Sequence, residues 1–315
     1  METDVPDNNT LSPVSLSVSE LNGLIDRFLS DYLSEKSVET VGTYSRALNE
    51  FKRYHASHLA SFRFRVEDVE KYKEHLEHVR NLHQVSISTY LTAIRRLCQF
   101  LVDEGRLEDN PAAAVKGNRR PDDHSRQVLS RSEIEQMITS LDGETVLDKR
   151  DLAIVMCMTF AGLSEIEIVR SDYGDLEQTL MGWFLRVQGK GRKVKDEHVP
   201  LDPPVVDPLR QYLQSRGRVL STDPLFASHG NRSEGARLNT RSVRSRINLH
   251  LENTGIKRPG ISPHSLTHSA PLIWLDRGMD IEDVKSRMRH GSLDTTMIYF
   301  RKKGLLNRGK SEDEN

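Results

Sequence analysis

The first third of the chain repeats apolar residues with the period of an amphipathic α-helix. In SVSELNGLIDRFLSDYL, a single stripe collects Leu21, Leu24, Ile25, Phe28 and Leu29. A similar period runs through SVETVGTYSRALNEFKRYH, VEDVEKYKEHLEHV and, most clearly, SISTYLTAIRRLCQFLVDEG. We therefore predict a four-helix domain over residues 19–111, preceded by a polar, disordered arm over residues 1–18.

The second part of the chain changes its pattern from helical to alternating and back. After Asn110-Pro111, a polar linker is expected over residues 112–128, and a second domain over residues 129–303 with a tail over 304–315. Ser130 and Glu133 form a capping box at its start. The segment KRDLAIVMCMTFAGLSEIEIV predicts a buried helix, a break at glycine and a further helix. MGWFLRVQGKGRKVKDEHVPL alternates around its two glycines, as a β-hairpin does.

The remaining segments return to the helical period. Helices are expected over residues 205–215 and 240–254, from Asp280 to about Met288, and around TTMIYF. Ser262-Pro263 predicts a helix start, with serine as the cap and proline at the first helical position. The fold class expected is mainly α with a small β-hairpin or sheet, in two domains.

Composition changes this picture little. The chain has 315 residues, of which 36% are apolar and 29% charged, and no apolar run approaches the ~20 residues that span a bilayer. The opening METDVPDNNT is acidic and unlike a signal peptide, so we expect a cytoplasmic protein. Cys98 and Cys157 fall inside apolar helical patterns and are expected to be reduced packing residues.

The net charge of −1 hides an uneven distribution of bases. Acidic residues gather near the N-terminus, in residues 67–77 and in the final SEDEN. Three basic clusters lie in the second half of the chain: Arg186, Lys190, Arg192, Lys193 and Lys195; Arg237, Arg241, Arg244 and Arg246; and Lys285, Arg287, Arg289, Arg301, Lys302 and Lys303. Each alone is typical of a solvated face, but three together favour a phosphate-binding function.

Two histidines in HSLTH lie one helical turn apart, which is a spacing that can bind zinc. No cysteine lies nearby and no acid stands between them, so a zinc site is disfavoured. A serine hydrolase is disfavoured too, because the chain has no GxSxG nucleophile elbow. For His268 alone, a core or capping role is the plainer interpretation.

The order of the motifs points elsewhere. A hairpin with GKG at its turn is followed by PHSLTH and then by HGSLDTTMIY, while the N-terminal helices include TVGTYSRALNEFKRY and STYLTAIRRLCQFLVDEG closed by NP. Over roughly residues 19–303, the chain resembles the tyrosine recombinases of the phage integrase and Xer type. The resemblance implies an N-terminal, SAM-like core-binding domain and a C-terminal catalytic domain.

The resemblance also implies a chemistry. A tyrosine attacks a DNA phosphodiester, giving a 3′-phosphotyrosyl link and a free 5′-hydroxyl, without metal or nucleotide cofactor. By register, Tyr299 holds the nucleophile position and Lys190 that of the general acid. His264 and His290 match the two histidines that contact the phosphate and assist proton transfer.

Two positions depart from the family pattern. Ser164, in GLS, and Thr267, in HSLT, stand where the family places the arginines that clamp the phosphate. A hydroxyl lacks the charged, bidentate fork of arginine, so activity is expected to be impaired. Rescue by Arg170, Arg287 or Arg289 is conceivable, and Arg289 is the best candidate since it replaces a usual glycine. Pro271 is a further departure that predicts a kink.

Two hypotheses stay open: a divergent recombinase that cuts and rejoins DNA through Tyr299, or an inactive descendant acting as a site-specific DNA-binding accessory or regulator. A partner subunit that acts beside a competent relative lies between them. Double-stranded DNA is the expected partner, with assembly as a tetramer in which Leu305 and Leu306 of the tail dock on a neighbour. On charge and helical face, the expected DNA contacts are Arg95, Arg96, Arg119, Arg120, Arg192, Arg241 and Arg244.

Overall fold

The computed structural model describes residues 14–36, 38–117, 127–189, 192, 194–230 and 233–312, except for the side chains of 38, 39, 302 and 305–312. The chain divides between Asp123 and His124 into two compact units. The fold is mainly helical with a small antiparallel sheet, which confirms the predicted fold class. The exact bounds predicted for the domains and the linker stay predictions.

The first unit is built from four helices, as the periodicity predicts. They are α1 (Val18–Arg27), α2 (Val38–Ser57), α3 (Val66–Glu74) and α4 (Gln84–Asp103), and π-helical turns over Phe28–Tyr32 and His75–Val79 continue α1 and α3. The predicted stripe is buried at Leu21, Ile25 and Phe28. Leu16 is buried as well and Ser17 caps α1, so order begins before residue 19.

The second unit contains eight helices and one sheet within the described residues. The helices are α5 (Arg131–Ser140), α6 (Val146–Phe160), α7 (Glu165–Arg170), α8 (Pro203–Arg216), α9 (Thr240–Asn253), α10 (His264–Asp276), α11 (Ile281–Arg287) and α12 (Leu293–Glu312). Ser130 and Glu133 form the predicted capping box of α5. Helix α6 is buried over most of its length because α8 and α10 both pack against it.

The sheet has three strands in the order β1 (Leu176–Thr179), β2 (Gly182–Val187) and β3 (Glu197–Leu201). The predicted hairpin is the β2–β3 pair, in which Val187 lies opposite Glu197. The sequence pattern missed β1, which pairs with β2 and has no buried position of its own. A strand with so little apolar alternation gives no period to detect.

The break between α6 and α7 depends on Gly162. Its φ of +64° is left-handed, and an added Cβ would lie 2.8 Å from the ring of Trp274 and 3.0 Å from the sulfur of Met288. The indole of Trp274 in turn donates to the carbonyl of Phe160 at 3.1 Å. This close approach fixes the start of α7 against α10 and α11.

Two details of the C-terminal helices differ from the sequence-based expectations. Helix α10 begins at His264, so Pro263 is the cap position and Ser262 is not the capping residue that was predicted. Pro271 lies inside α10, as expected, and the kink there stays a prediction. Helix α12 runs to Glu312, so the predicted tail is helical over most of its length, while the side chains of Leu305 and Leu306 lie outside the described residues.

Candidate active site

The hydroxyl of Tyr299 is hydrogen-bonded to Nδ1 of His268. Tyr299 lies in the second turn of α12, and His268 lies in the second turn of α10, which packs against α12. The tyrosine is buried, with 7% of its surface exposed, and the two ring centroids are 5.8 Å apart. The hydroxyl that the resemblance assigns as the nucleophile is therefore held by a neighbouring imidazole.

His290 contacts the same tyrosine through its ring face. The two rings are nearly parallel, with an interplanar angle of 7° and centroids 6.1 Å apart. Nδ1 of His290 is hydrogen-bonded to the Thr296 hydroxyl at 2.9 Å. Burial lowers the pKa of His290, and the positive charge of Arg289 lowers it further, and both effects favour the neutral form of the ring.

His264 is paired with a carboxylate that the sequence analysis did not single out. Its Nδ1 lies 3.0 Å from Oε2 of Glu165, within ion-pair distance but without the alignment of a hydrogen bond. The other oxygen of Glu165 accepts from Arg244 at 3.3 Å. His264 also meets His268 edge to face, with ring centroids 5.4 Å apart. Tyr299, His268, His264 and Glu165 thus form one connected group.

Glu165 is held strongly in its ionised form. The residue is 3% exposed, and this burial by itself raises its pKa. His264 and Arg244 outweigh the effect of burial, and they lower the pKa of Glu165 to about 2 from an ordinary 4.5. The site therefore contains a fixed negative charge beside His264 and the guanidinium of Arg244.

The hydroxyls at the two expected arginine positions both bond within the protein. Ser164 caps α7: its hydroxyl donates to Glu167 Oε2 at 2.8 Å, and the Glu167 carboxylate also accepts from the Ser164 backbone N–H. The Thr267 hydroxyl donates to the carbonyl of Leu163 at 2.9 Å, and the residue is 6% exposed. Both hydroxyls therefore donate to acceptors within the protein.

Arg289 shares the Glu167 carboxylate with Ser164, the first of these two positions. Its guanidinium binds Glu167 through two hydrogen bonds, of 2.8 Å and 2.9 Å, and also donates to the carbonyls of Gly162 and Arg287. The side chain is 9% exposed and the backbone is left-handed, with φ of +56°. The arginine is adjacent to Ser164 but is neutralised by Glu167.

The other residues predicted for catalysis, for rescue or for DNA contact lie in different parts of the chain. Lys190, Arg119 and Arg120 lie outside the described residues. The side chain of Arg287 lies over the ring of Trp274 and 3.5 Å from Asp202, and its backbone carbonyl accepts from Arg289. Arg192 pairs with Asp196 and Glu197, Arg241 is exposed on α9, and Arg170 lies in the last turn of α7.

In the first unit, the two neighbouring arginines of α4 differ. Arg95 donates to the carbonyls of Ala112 and Val115, at 3.2 Å and 3.0 Å, so two of its N–H groups are used within the protein, and its contact with DNA stays a prediction. Arg96 is exposed and lines a cleft of about 220 Å³ together with Lys36 and Tyr44.

Within the parts of the chain that the structure describes, no group of three or more His, Cys, Asp or Glu side chains is arranged to hold a metal ion. In that same described part of the chain, no helix has the length and apolar character to cross a membrane. Cys98 and Cys157 are both free and buried, as predicted.

Family comparisons decide the relationship. The model of the "Phage integrase family" matches residues 127–304, and the model of the "Phage integrase, N-terminal SAM-like domain" matches residues 25–105. The chain belongs to the phage integrase family. This result confirms the resemblance to tyrosine recombinases that was drawn from the motifs.

Curated relatives in this family are named tyrosine recombinases. The chain is 30% identical over 273 residues to tyrosine recombinase XerC of Pelobacter propionicus, covering 84% of each chain. It is 29% identical to XerC of Chlamydia muridarum, covering 84% of this chain and 81% of the relative. It is 27% identical to XerD of Vibrio cholerae, covering 91% and 94%.

Solved structures of family members share the fold. XerH site-specific recombinase, in a post-cleavage complex with its palindromic difH substrate, superposes with a TM-score of 0.72 at 19% identity, covering 95% of this chain and 85% of that one. A lambda integrase dimer bound to a core site gives 0.68 at 14% identity, covering 87% and 96%.

Three residues of the site were missed or set aside by the sequence analysis. His268 was interpreted as a packing residue, and Glu165 and Glu167 were not considered. A weak signal existed, because GLSEIEI places two acids in the turn after a buried helix. Only the distances in the folded structure show that these acids pair with residues about 100 positions later in the chain.

Proposed function

We propose that this protein is a site-specific recombinase that binds duplex DNA and forms a 3′-phosphotyrosyl intermediate through Tyr299, at a rate lowered by its altered phosphate site. The observation that carries the proposal is the Tyr299 hydroxyl, which is buried against two imidazoles and hydrogen-bonded to one of them. A tyrosine with a packing role alone has no need of this environment. In the family register, the same tyrosine is the nucleophile.

The lowered rate follows from the charges around Ser164 and Thr267. Phosphoryl transfer requires positive charge on the non-bridging oxygens, because negative charge is spread over them in the transition state. The two hydroxyls bond to Glu167 and Leu163, and Arg289 is neutralised by Glu167. Loss of one such donor slows catalysis by about 10²–10³, and the loss of a phosphate-directed arginine by about 10³–10⁵.

A second function is favoured by Glu165. Its carboxylate is ionised beside His264 and Arg244, so it offsets the positive charge that Arg244 offers to a phosphate. If this charge suppresses cleavage altogether, the protein is a DNA-binding accessory or regulator built on a recombinase fold. Both functions require duplex DNA, and they differ only in the covalent step.

The proposed partner is double-stranded DNA, in an assembly of several subunits. Relatives in solved structures are described as bound to DNA, among them XerH on its difH substrate and a lambda integrase tetramer on a Holliday junction. The exposed Arg96 and Arg241 and the half-exposed Arg244 are available to contact the backbone of DNA. A cytoplasmic location and the use of Lys190 as general acid remain part of this proposal.

The test is covalent trapping on nicked duplexes. Duplexes that the protein retains are first selected from the DNA flanking its own gene and from a random-sequence pool. The wild type, Tyr299→Phe and a Ser164→Arg, Thr267→Arg double variant are then compared on the selected DNA. A protein–DNA adduct that Tyr299→Phe abolishes supports the recombinase. Adducts from the double variant alone support the DNA-binding accessory, and the absence of selected DNA overturns both.

A further inference from the structure

The residue bonded to the tyrosine hydroxyl is His268, which was set aside as a packing residue. We propose that His268 is the general base that takes the proton of Tyr299 when the tyrosine attacks DNA. This inference rests on the proposed function, since it concerns the same covalent step. It adds a catalytic residue to that step, because the imidazole touches the reacting oxygen itself.

The geometry places both partners on rigid elements. His268 lies inside α10, and Tyr299 lies inside α12, so neither side chain depends on a loop for its position. In the tautomer that carries its proton on Nε2, Nδ1 of His268 accepts the O–H of Tyr299. A base must lie within hydrogen-bond reach of the proton that it removes, and this one does.

The two histidines matched by the family register are less suited to this task. His290 presents its ring face to Tyr299, and its Nδ1 is bonded to Thr296. His264 is paired with Glu165, and its ring meets His268 rather than being bonded to the tyrosine hydroxyl. These two residues are better placed to shape the pocket and to contact the phosphate.

In the proposed cleavage step, one bond to phosphorus forms while another breaks. The Tyr299 oxygen forms a bond to phosphorus while its proton moves to Nδ1 of His268, and the bond from phosphorus to the 5′-oxygen breaks. The leaving 5′-oxygen takes up a proton from Lys190, the general acid under the proposed function. On rejoining, the 5′-hydroxyl attacks phosphorus, Lys190 recovers the proton, and the tyrosine oxygen recovers its own from His268.

The experiment compares His268→Asn and His268→Ala with the wild type. Asparagine retains a hydrogen-bonding group near the position of Nδ1 but does not take a proton at neutral pH. His198→Asn is the matched control, because His198 lies on β3, is half exposed and lies 3.9 Å from the surface residue Glu177. Each version is assayed on selected nicked duplexes with either a normal 5′-oxygen or a 5′-sulfur at the scissile bond.

A sulfur leaving group departs without a general acid, so the two substrates separate the acid from the base. We expect His268→Asn to slow adduct formation by about 10² or more on both substrates, within the range of general acid–base catalysis. We expect added imidazole to restore His268→Ala in a concentration-dependent manner, which a purely structural role would not produce. The control should match the wild type.

Each other outcome overturns the proposal in a recognisable way. A loss of rate on the oxygen substrate alone would identify His268 as an acid, and an unchanged rate would remove it from the chemistry. Failure of imidazole to restore His268→Ala would leave a structural role only. If bound DNA yields no adduct from the wild type or from the Ser164→Arg, Thr267→Arg variant, the proposed function fails first and the base fails with it.

Discussion

The guanidinium of Arg289 and the carboxylate of Glu167 form a buried, two-bonded ion pair between residues 122 positions apart. Glu167 also accepts from Ser164, so this one carboxylate joins the cap of α7 to the turn between α11 and α12. That turn carries His290 and leads into the helix of Tyr299. The pair therefore stabilises the local structure on which the candidate site depends.

Removing Arg289 should destabilise the protein strongly. Arg289→Ala leaves Glu167 charged and buried, and breaking such a pair from one side costs about 3–5 kcal/mol. Because φ is +56°, Arg289→Gly should be more stable than Arg289→Ala by about 1–2 kcal/mol. Urea unfolding measures both. The control is Lys285→Ala, which removes an exposed ion pair with Glu282 and should lower the free energy of unfolding by less than about 1 kcal/mol. Equal losses of stability for Arg289→Ala and Lys285→Ala would contradict the prediction.

Neutralising Glu165 should favour the covalent step. Glu165→Gln removes a negative charge that faces His264 and Arg244, and a unit charge at 4 Å is worth up to about 4 kcal/mol near a protein surface. We expect the rate of adduct formation on selected nicked DNA to rise at least tenfold. A tenfold change in rate corresponds to about 1.4 kcal/mol, which is a fraction of that interaction energy. The control is Glu177→Gln on β1, whose carboxylate pairs with Arg186 at 3.7 Å. Equal rates for the two variants would show that Glu165 does not restrain the site.

The same carboxylate should make stability depend on acid pH. Its pKa is about 2 in the folded state and 4.5 ordinarily, so the folded state binds fewer protons than the unfolded state between these values. The resulting stabilisation, up to about 3 kcal/mol, is present above pH 4.5 and is lost as the pH falls toward 2. Between pH 7 and pH 3, the free energy of unfolding should fall more steeply for the wild type than for Glu165→Gln. Parallel curves would exclude this contribution.

Adjacent arginines on α4 should give opposite phenotypes. Arg95→Ala removes two hydrogen bonds to carbonyls after the helix, and it should lower the free energy of unfolding by about 1.5–3 kcal/mol. Arg96→Ala should leave stability within about 0.5 kcal/mol but weaken binding to selected DNA, with the salt slope reduced by about one. Urea unfolding and a salt titration of binding separate the two effects. A shared phenotype would show that the assignment of roles is wrong.

Much of the fold could be read from local patterns. Apolar residues that recur every three or four positions predict α1–α4 and most later helices, because a helix must bury one face. The motif around Tyr299 has a fixed order along the chain, so its register identified the family. The strand β1 escaped detection because it is short and has no buried position, and it forms by pairing with β2.

The sequence by itself determined the helices, the hairpin and the family, and the resemblance predicted that hydroxyls stand at two arginine positions. Only the tertiary structure decided which groups meet: His268 with Tyr299, Glu165 with His264, and Arg289 with Glu167. Periodicity reports which face of an element is buried, since it depends on neighbours along the chain. Charge pairing and proton transfer depend on distances across packed helices, and these distances are set only when α7, α10 and α12 come together.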